Sequence, residues 1–149
     1  MRRLSFILAA VICPLLMHAQ KLPEKQIGEI LGHLDKDRVS LEYDCVTRSP
    51  SSLHMSGTLI LEGNCYLAKG NGIEIYCDGN TRWTVDPEEK EVYIEEAGGI
   101  KEILEGDDSL ESLSIKNIKY VPQTGSLRDF RFDTSSLDSS WVVTDLREE

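Results

Sequence analysis

Between residues 40 and 94 a turn signal interrupts the chain every few residues, which leaves room for short strands and little else. Ser40–Arg48 alternates, with Leu41, Tyr43 and Cys45 on one side and Glu42, Asp44 and Arg48 on the other. Ser49-Pro50-Ser51-Ser52 reads as a turn, and His54–Glu62 follows with Leu59 and Leu61 sharing a face. Asn64–Lys69 and Ile73–Asp78 flank Gly70-Asn71-Gly72, which reads as a three-residue hairpin loop. That loop sets Leu67 opposite Ile75 and Cys65 opposite Cys77. After the turn Asp78-Gly79-Asn80, Thr81–Val85 and Glu91–Ile94 form another hairpin around Asp86-Pro87-Glu88-Glu89-Lys90. Strands joined this closely in sequence pair with their neighbours, so the expectation is a meandering antiparallel sheet.

Helix is expected mainly ahead of this sheet. Pro23 suits a first-turn position, and Ile27, Ile30, Leu31 and Leu34 recur at helical spacing on one stripe. Gly28 and Gly32 each weaken such a helix by roughly 1 kcal/mol relative to Ala, so it needs a surface to lean on. A second short helix is expected around Ile100–Glu105. Further on, Ser114–Val121, Leu127–Phe132 and Trp141–Leu146 read as short strands, the last two separated by the Ser-rich stretch Asp133–Ser140.

The chain begins with Arg2 and Arg3, then an apolar run from Phe6 to Met17, and turns polar at His18-Ala19-Gln20-Lys21. A run that short does not span a bilayer, and the pattern reads as a cleaved export signal over residues 1–20, leaving one domain over 21–149 with no transmembrane segment. Sixteen Lys+Arg against 26 Asp+Glu give a net charge of −10, and losing Arg2 and Arg3 with the leader deepens it. So acidic a chain lacks the basic face that nucleic acid or an anionic membrane requires.

Candidate chemistry is sparse. No Ser sits in a nucleophile elbow and no Gly-rich loop precedes a helix. The carboxylates Asp86, Glu88, Glu89 and Glu91, and Glu102, Glu105, Asp107 and Asp108, read as solvated turns and loops, so no enzyme activity is expected. His33 and His54 show no ligand spacing with a cysteine, and no metal or cofactor is expected. Cys65 and Cys77 fit two readings, a cross-strand disulfide or two small buried apolar residues side by side; Cys45 stands apart.

Three separated segments share an order and spacing with a known family. Asp78-Gly79-Asn80-Thr81-Arg82-Trp83-Thr84-Val85-Asp86-Pro87 resembles the D-G-K-T-x-W-x-Y-[D/N]-P hairpin of the periplasmic outer-membrane lipoprotein carrier (LolA-like) family. The strand Glu91-Val92-Tyr93-Ile94 follows it in the same way, and Gly57-Thr58-Leu59 resembles the family's G-x-L strand. Phe130-Arg131-Phe132-Asp133 and Val143-Thr144-Asp145-Leu146-Arg147 resemble its closing segment. Gly63-Asn64 stands where well-known carriers have Arg-Pro, and only Gly98–Ser126 occupies a stretch where they have several more strands.

The resemblance implies an α+β fold: a curved, incompletely closed antiparallel half-barrel with helices covering its concave apolar face. It also implies a periplasmic carrier of acylated lipoproteins or lipid, served by an inner-membrane release complex and an outer-membrane acceptor. Independently of that resemblance, too few covering elements for the apolar face suggest a hollow. Its expected lining is Leu41, Tyr43, Leu59, Leu61, Leu67, Ile73, Ile75, Trp83, Val92 and Ile94, facing Ile27, Ile30, Leu31 and Leu34. The rival expectation is an envelope sensor or protein-interaction domain on the same scaffold, without lipid carriage.

Overall fold

The computed structural model describes residues 23–47, 53–100 and 110–148. The expected leader and most of the expected second helix lie outside them. Helix α1 (Glu24–His33) is followed by β1 (Asp37–Thr47), β2 (Leu53–Glu62), β3 (Cys65–Gly70), β4 (Ile73–Cys77), β5 (Thr81–Asp86) and β6 (Glu91–Glu96). Then come β7 (Leu110–Pro122), two 3-10 turns (Arg128–Phe130 and Thr134–Ser136) and β8 (Val142–Asp145).

Turn chemistry fixes the registers. Asn71 (φ 53°) and Gly72 (φ 77°) form a two-residue hairpin turn with the twist that strand pairs favour. Gly70 is therefore the last strand residue, opposite Ile73, and Tyr66 rather than Cys65 stands opposite Cys77. This shift of one residue exchanges the two faces of one strand relative to its partner, so every side chain of that strand changes side. Of the two readings of Cys65 and Cys77, the bridge does not form and the side-by-side packing does not occur: both are buried, but they alternate to opposite faces, and Cys45, Cys65 and Cys77 are all free.

The strands build one open, curved, eight-stranded sheet in the order β7-β1-β2-β3-β4-β5-β6-β8. It is mixed rather than wholly antiparallel, because β8 runs parallel to β6. A bulge in β7 at Asn117 (φ 55°) lets Ile115 and Ile118, three positions apart, meet the same apolar cluster. Asn117 Nδ2 secures it by donating to Glu42 Oε2 at 2.8 Å.

Helix α1 packs over the start of β1, with Ile27, Ile30 and Leu34 buried against Val39, Leu41 and Leu61. The Leu34 carbonyl just beyond its end accepts from Gly63 N–H (3.1 Å) and Gln123 Nε2 (2.6 Å). These bonds join the helix terminus to the β2–β3 turn and to the chain leaving β7. One orphan carbonyl is thereby satisfied without a capping residue.

The opposite face is not uniformly wet. Over β7, β1 and β2 it carries Lys116, Lys119, Glu42 and Thr58, as expected of a solvated surface. Over β3 to β6 the C-terminal segment covers it. Leu127–Phe132, expected as a strand, instead folds into the first 3-10 turn and buries Phe130 completely. Phe132, Leu137 and Trp141 then pack on Val85, Val92 and Ile94. Aromatic and aliphatic residues spaced this way can close over a sheet face as well as extend along one, and here they close over it.

Candidate ligand-binding face

The expected lining divides between the two faces. Ile27, Ile30, Leu31, Leu34, Leu41, Tyr43, Leu59, Leu61 and Ile75 come together in one cluster on the helix side. Ile73 shares that side by register. Trp83, Val92 and Ile94 lie on the other side, under the C-terminal segment. Leu67 joins them, standing directly opposite Tyr76 of that cluster. These four are corrections, and their cause is the alternation of side chains along a strand: Ile75 and Trp83 belong to neighbouring strands but opposite phases.

Following the registers across the helix side gives two rows. One runs Val39, Leu61, Tyr66, Cys77, Arg82, Glu95. The other runs Leu41, Leu59, Ala68, Ile75, Thr84, Tyr93. Both pass from apolar to polar between β4 and β5. Leu59, Ala68, Ile73 and Ile75, in the middle of this face, are only half-buried. Tyr43 reaches across the small residues there: a Cβ added at Gly70 would stand 2.8 Å from its hydroxyl, while Gly57 is packed against the Lys69 backbone.

Charge is concentrated on the β5–β6 half. Arg82 Nε and Nη2 both donate to Glu95 Oε2, at 3.1 and 2.6 Å. Burial works against the guanidinium charge, but Glu95 and the Tyr66 hydroxyl outweigh it, so the Arg82 pKa is raised. Tyr66 is 2% exposed, yet no group meets its hydroxyl in hydrogen-bond geometry. Burial is the main cause of its raised pKa, with the Cys77 thiol and the Arg82 side chain as its polar neighbours. Leaving such a group unpaired costs on the order of 1–3 kcal/mol. On the other face, burial and a 2.8 Å bond to Glu74 push the Tyr76 hydroxyl up to about 12.

Tyr66, Cys77, Arg82, Ile115 and Ile118 belong to this face and were missed from sequence. Reading Asn71-Gly72 as a two-residue turn would have put Tyr66 in line with Cys77, and the Asp78-Gly79-Asn80 turn sets Arg82 opposite Cys77.

An open cleft of about 590 Å³ lies elsewhere, between the β4–β5 turn, the end of β6 and Arg147. Its walls are Gly79, Asn80, Thr81, Glu96, Ala97, Gly98 and Arg147, a polar lining unsuited to a hydrocarbon chain. Among the described residues, no group of three or more His, Cys, Asp or Glu side chains could hold a metal. No helix among them is long and apolar enough to cross a membrane. Compared with protein-family models and with curated proteins, the chain matches none.

Proposed function

We propose that the chain is a periplasmic carrier that takes up acyl chains of lipoproteins, or of related lipid, for delivery to the outer membrane. The observation that carries this reading is the half-buried strip Leu59, Ala68, Ile73 and Ile75 on the helix side of an open, curved sheet. In this reading α1 covers the concave apolar face as a displaceable lid, and cargo lies between lid and sheet. Each methylene taken out of water contributes about 0.8 kcal/mol, so a short apolar track suffices to hold a chain against an aqueous compartment. The leader-like residues 1–20 support export, and an inner-membrane release complex and an outer-membrane acceptor would act at the two ends of the journey. No catalytic step is proposed.

The test is purification of the exported protein from an envelope extract, followed by mass spectrometry of whatever acyl species accompany it. Wild type is expected to bring lipid or lipoprotein with it, and Leu59→Asp, checked for a native circular dichroism spectrum, to lose it. If wild type is as empty as the variant, the carrier reading fails.

One observation favours a second reading, a protein-interaction domain of the envelope. Val142 (58% exposed), Val143 (43%) and Leu146 (57%) lie on or beside β8, an edge strand among the described residues. Exposed aliphatic side chains on a strand edge invite a partner.

A further inference from the structure

The row that crosses the helix side changes character within two strands. Leu61 and Cys77 flank Tyr66, and the next residue across is Arg82. Among the described residues facing this way from β5 and β6, namely Arg82, Thr84, Asp86, Glu91, Tyr93 and Glu95, Arg82 is the cation. Beside it the Tyr66 hydroxyl is buried, with the Arg82 side chain and the Cys77 thiol as its polar neighbours, and no acceptor meets its O–H in hydrogen-bond geometry. A phenylalanine would fill an apolar position equally well without burying an unsatisfied donor. A donor held in an apolar wall, next to a guanidinium, has the chemistry to meet an oxygen acceptor on a ligand that is otherwise hydrocarbon.

From Tyr66 the apolar strip runs along β3 and β4, past Ala68 and Ile75 to Gly70 and Ile73. Four residues of strand span roughly 13 Å, enough for the proximal part of an acyl chain. We infer that Tyr66 and Arg82 form the head-group end of the carrier face and take an acyl chain by its carboxylate or ester carbonyl oxygen, with the hydrocarbon laid over Ala68, Ile75 and Ile73. The inference rests on the carrier reading and makes it specific: the face prefers an oxygen-headed chain in one orientation. Tyr66 O–H donates to the head-group oxygen, and Arg82 adds a charge-assisted contact when that oxygen is ionised, while keeping its bond to Glu95.

The test uses the mature protein with two probes, dodecanoate and methyl dodecanoate, titrated by calorimetry at pH 8. These separate a free fatty acid from an ester-linked chain. Wild type is expected to bind both, dodecanoate about tenfold more tightly. Tyr66→Phe is expected to weaken both about tenfold, and Arg82→Gln to weaken dodecanoate alone. In the absence of probe, Tyr66→Phe is expected to raise the Tm by on the order of 5 °C, because it removes an unpaired buried hydroxyl. A Tyr66→Phe protein that binds both probes as wild type does overturns the anchor and leaves the carrier reading standing. So does a lowered Tm, which would mean the hydroxyl bonds within the protein. If wild type binds neither probe, both fall.

Discussion

Arg38 and Glu62, 24 residues apart, meet on the face of the sheet opposite α1, where β1 begins and β2 ends, with Nη2 3.0 Å from Oε2. Among the described residues, Glu62 is the charged side chain that the fold buries, at 7% exposure. Its other oxygen accepts from Thr124 N–H at 2.5 Å, and Arg38 Nη1 reaches Asp129 at 2.8 Å. The guanidinium also sits over the Phe130 ring, 5.2 Å from its centroid. One ion pair thereby fastens the C-terminal segment to β1 and β2.

Truncating Arg38 leaves the Glu62 carboxylate buried without its cation, whereas truncating Glu62 leaves Arg38 still paired with Asp129. Arg38→Ala is expected to cost about 3 kcal/mol in urea unfolding, the usual result of leaving a buried charge without its partner, and Glu62→Ala less. Limited proteolysis should show the loss locally, with early cleavage between Thr124 and Arg131. A double variant that is less damaged than the two single effects combined would demonstrate the coupling.

Acid should release the same segment. Burial pushes the Glu62 carboxyl up, but the Arg38 hydrogen bond and the Thr124 N–H together hold it below its ordinary 4.5. Asp78 behaves alike: burial raises it, and Thr81 N–H, the Arg131 side chain and Asn80 N–H bring it below 3.8. A carboxyl with a depressed folded pKa contributes stability that is fully present above its unfolded pKa and is lost as pH falls through the folded one. Stability should hold above roughly pH 5 and decline below about 4. The fluorescence of Trp141, which packs on the second cluster, should report the loss. Asp78→Asn should flatten the lower part of that profile.

The cysteines should remain thiols even under oxidising conditions. Cys45, Cys65 and Cys77 are buried, and burial is the first cause of the raised pKa of each. A protonated, inaccessible thiol reacts slowly. Intact mass with and without reductant should agree, and iodoacetamide should label all three in denaturant without prior reduction, but little in the native state. A two-proton mass increase on reduction would restore the Cys65–Cys77 bridge and with it the three-residue loop.

Much of the sheet can be read from turns. Asp86-Pro87 and Asp78-Gly79-Asn80 sit where the strands end, because an Asp side chain there satisfies backbone N–H groups: Asp86 those of Glu88 and Glu89, Asp78 those of Asn80 and Thr81. The α1 stripe is equally legible, with Ile27, Ile30 and Leu34 buried and Gly28 and Gly32 turned outward. What local signals leave open is phase. Glycine belongs to strand or loop with equal ease, so Gly70-Asn71-Gly72 admits two registers, and the choice decides which face Leu67 and Tyr66 serve. The bulge at Asn117 and the fold-back of Phe130 are decided by contacts with Glu42, Arg38 and Glu62, remote in sequence and invisible to periodicity.

Gly28 and Gly32 offer a way to make the proposed lid harder to open. A methyl group at either would meet nothing within 4 Å, and neither residue has a positive φ. Each replacement by Ala should therefore add about 1 kcal/mol to helix stability with no clash to offset it. The apolar stripe of α1 is untouched, so equilibrium contacts with β1 and Leu61 stay as they are. If cargo leaves by undocking or fraying of α1, the Gly28→Ala, Gly32→Ala double variant should keep its affinity for acyl chains or gain some. It should also release a fluorescent fatty-acid probe several-fold more slowly in stopped-flow displacement. Release at the wild-type rate, with Tm raised as expected, would mean that the chain leaves the face without moving the helix.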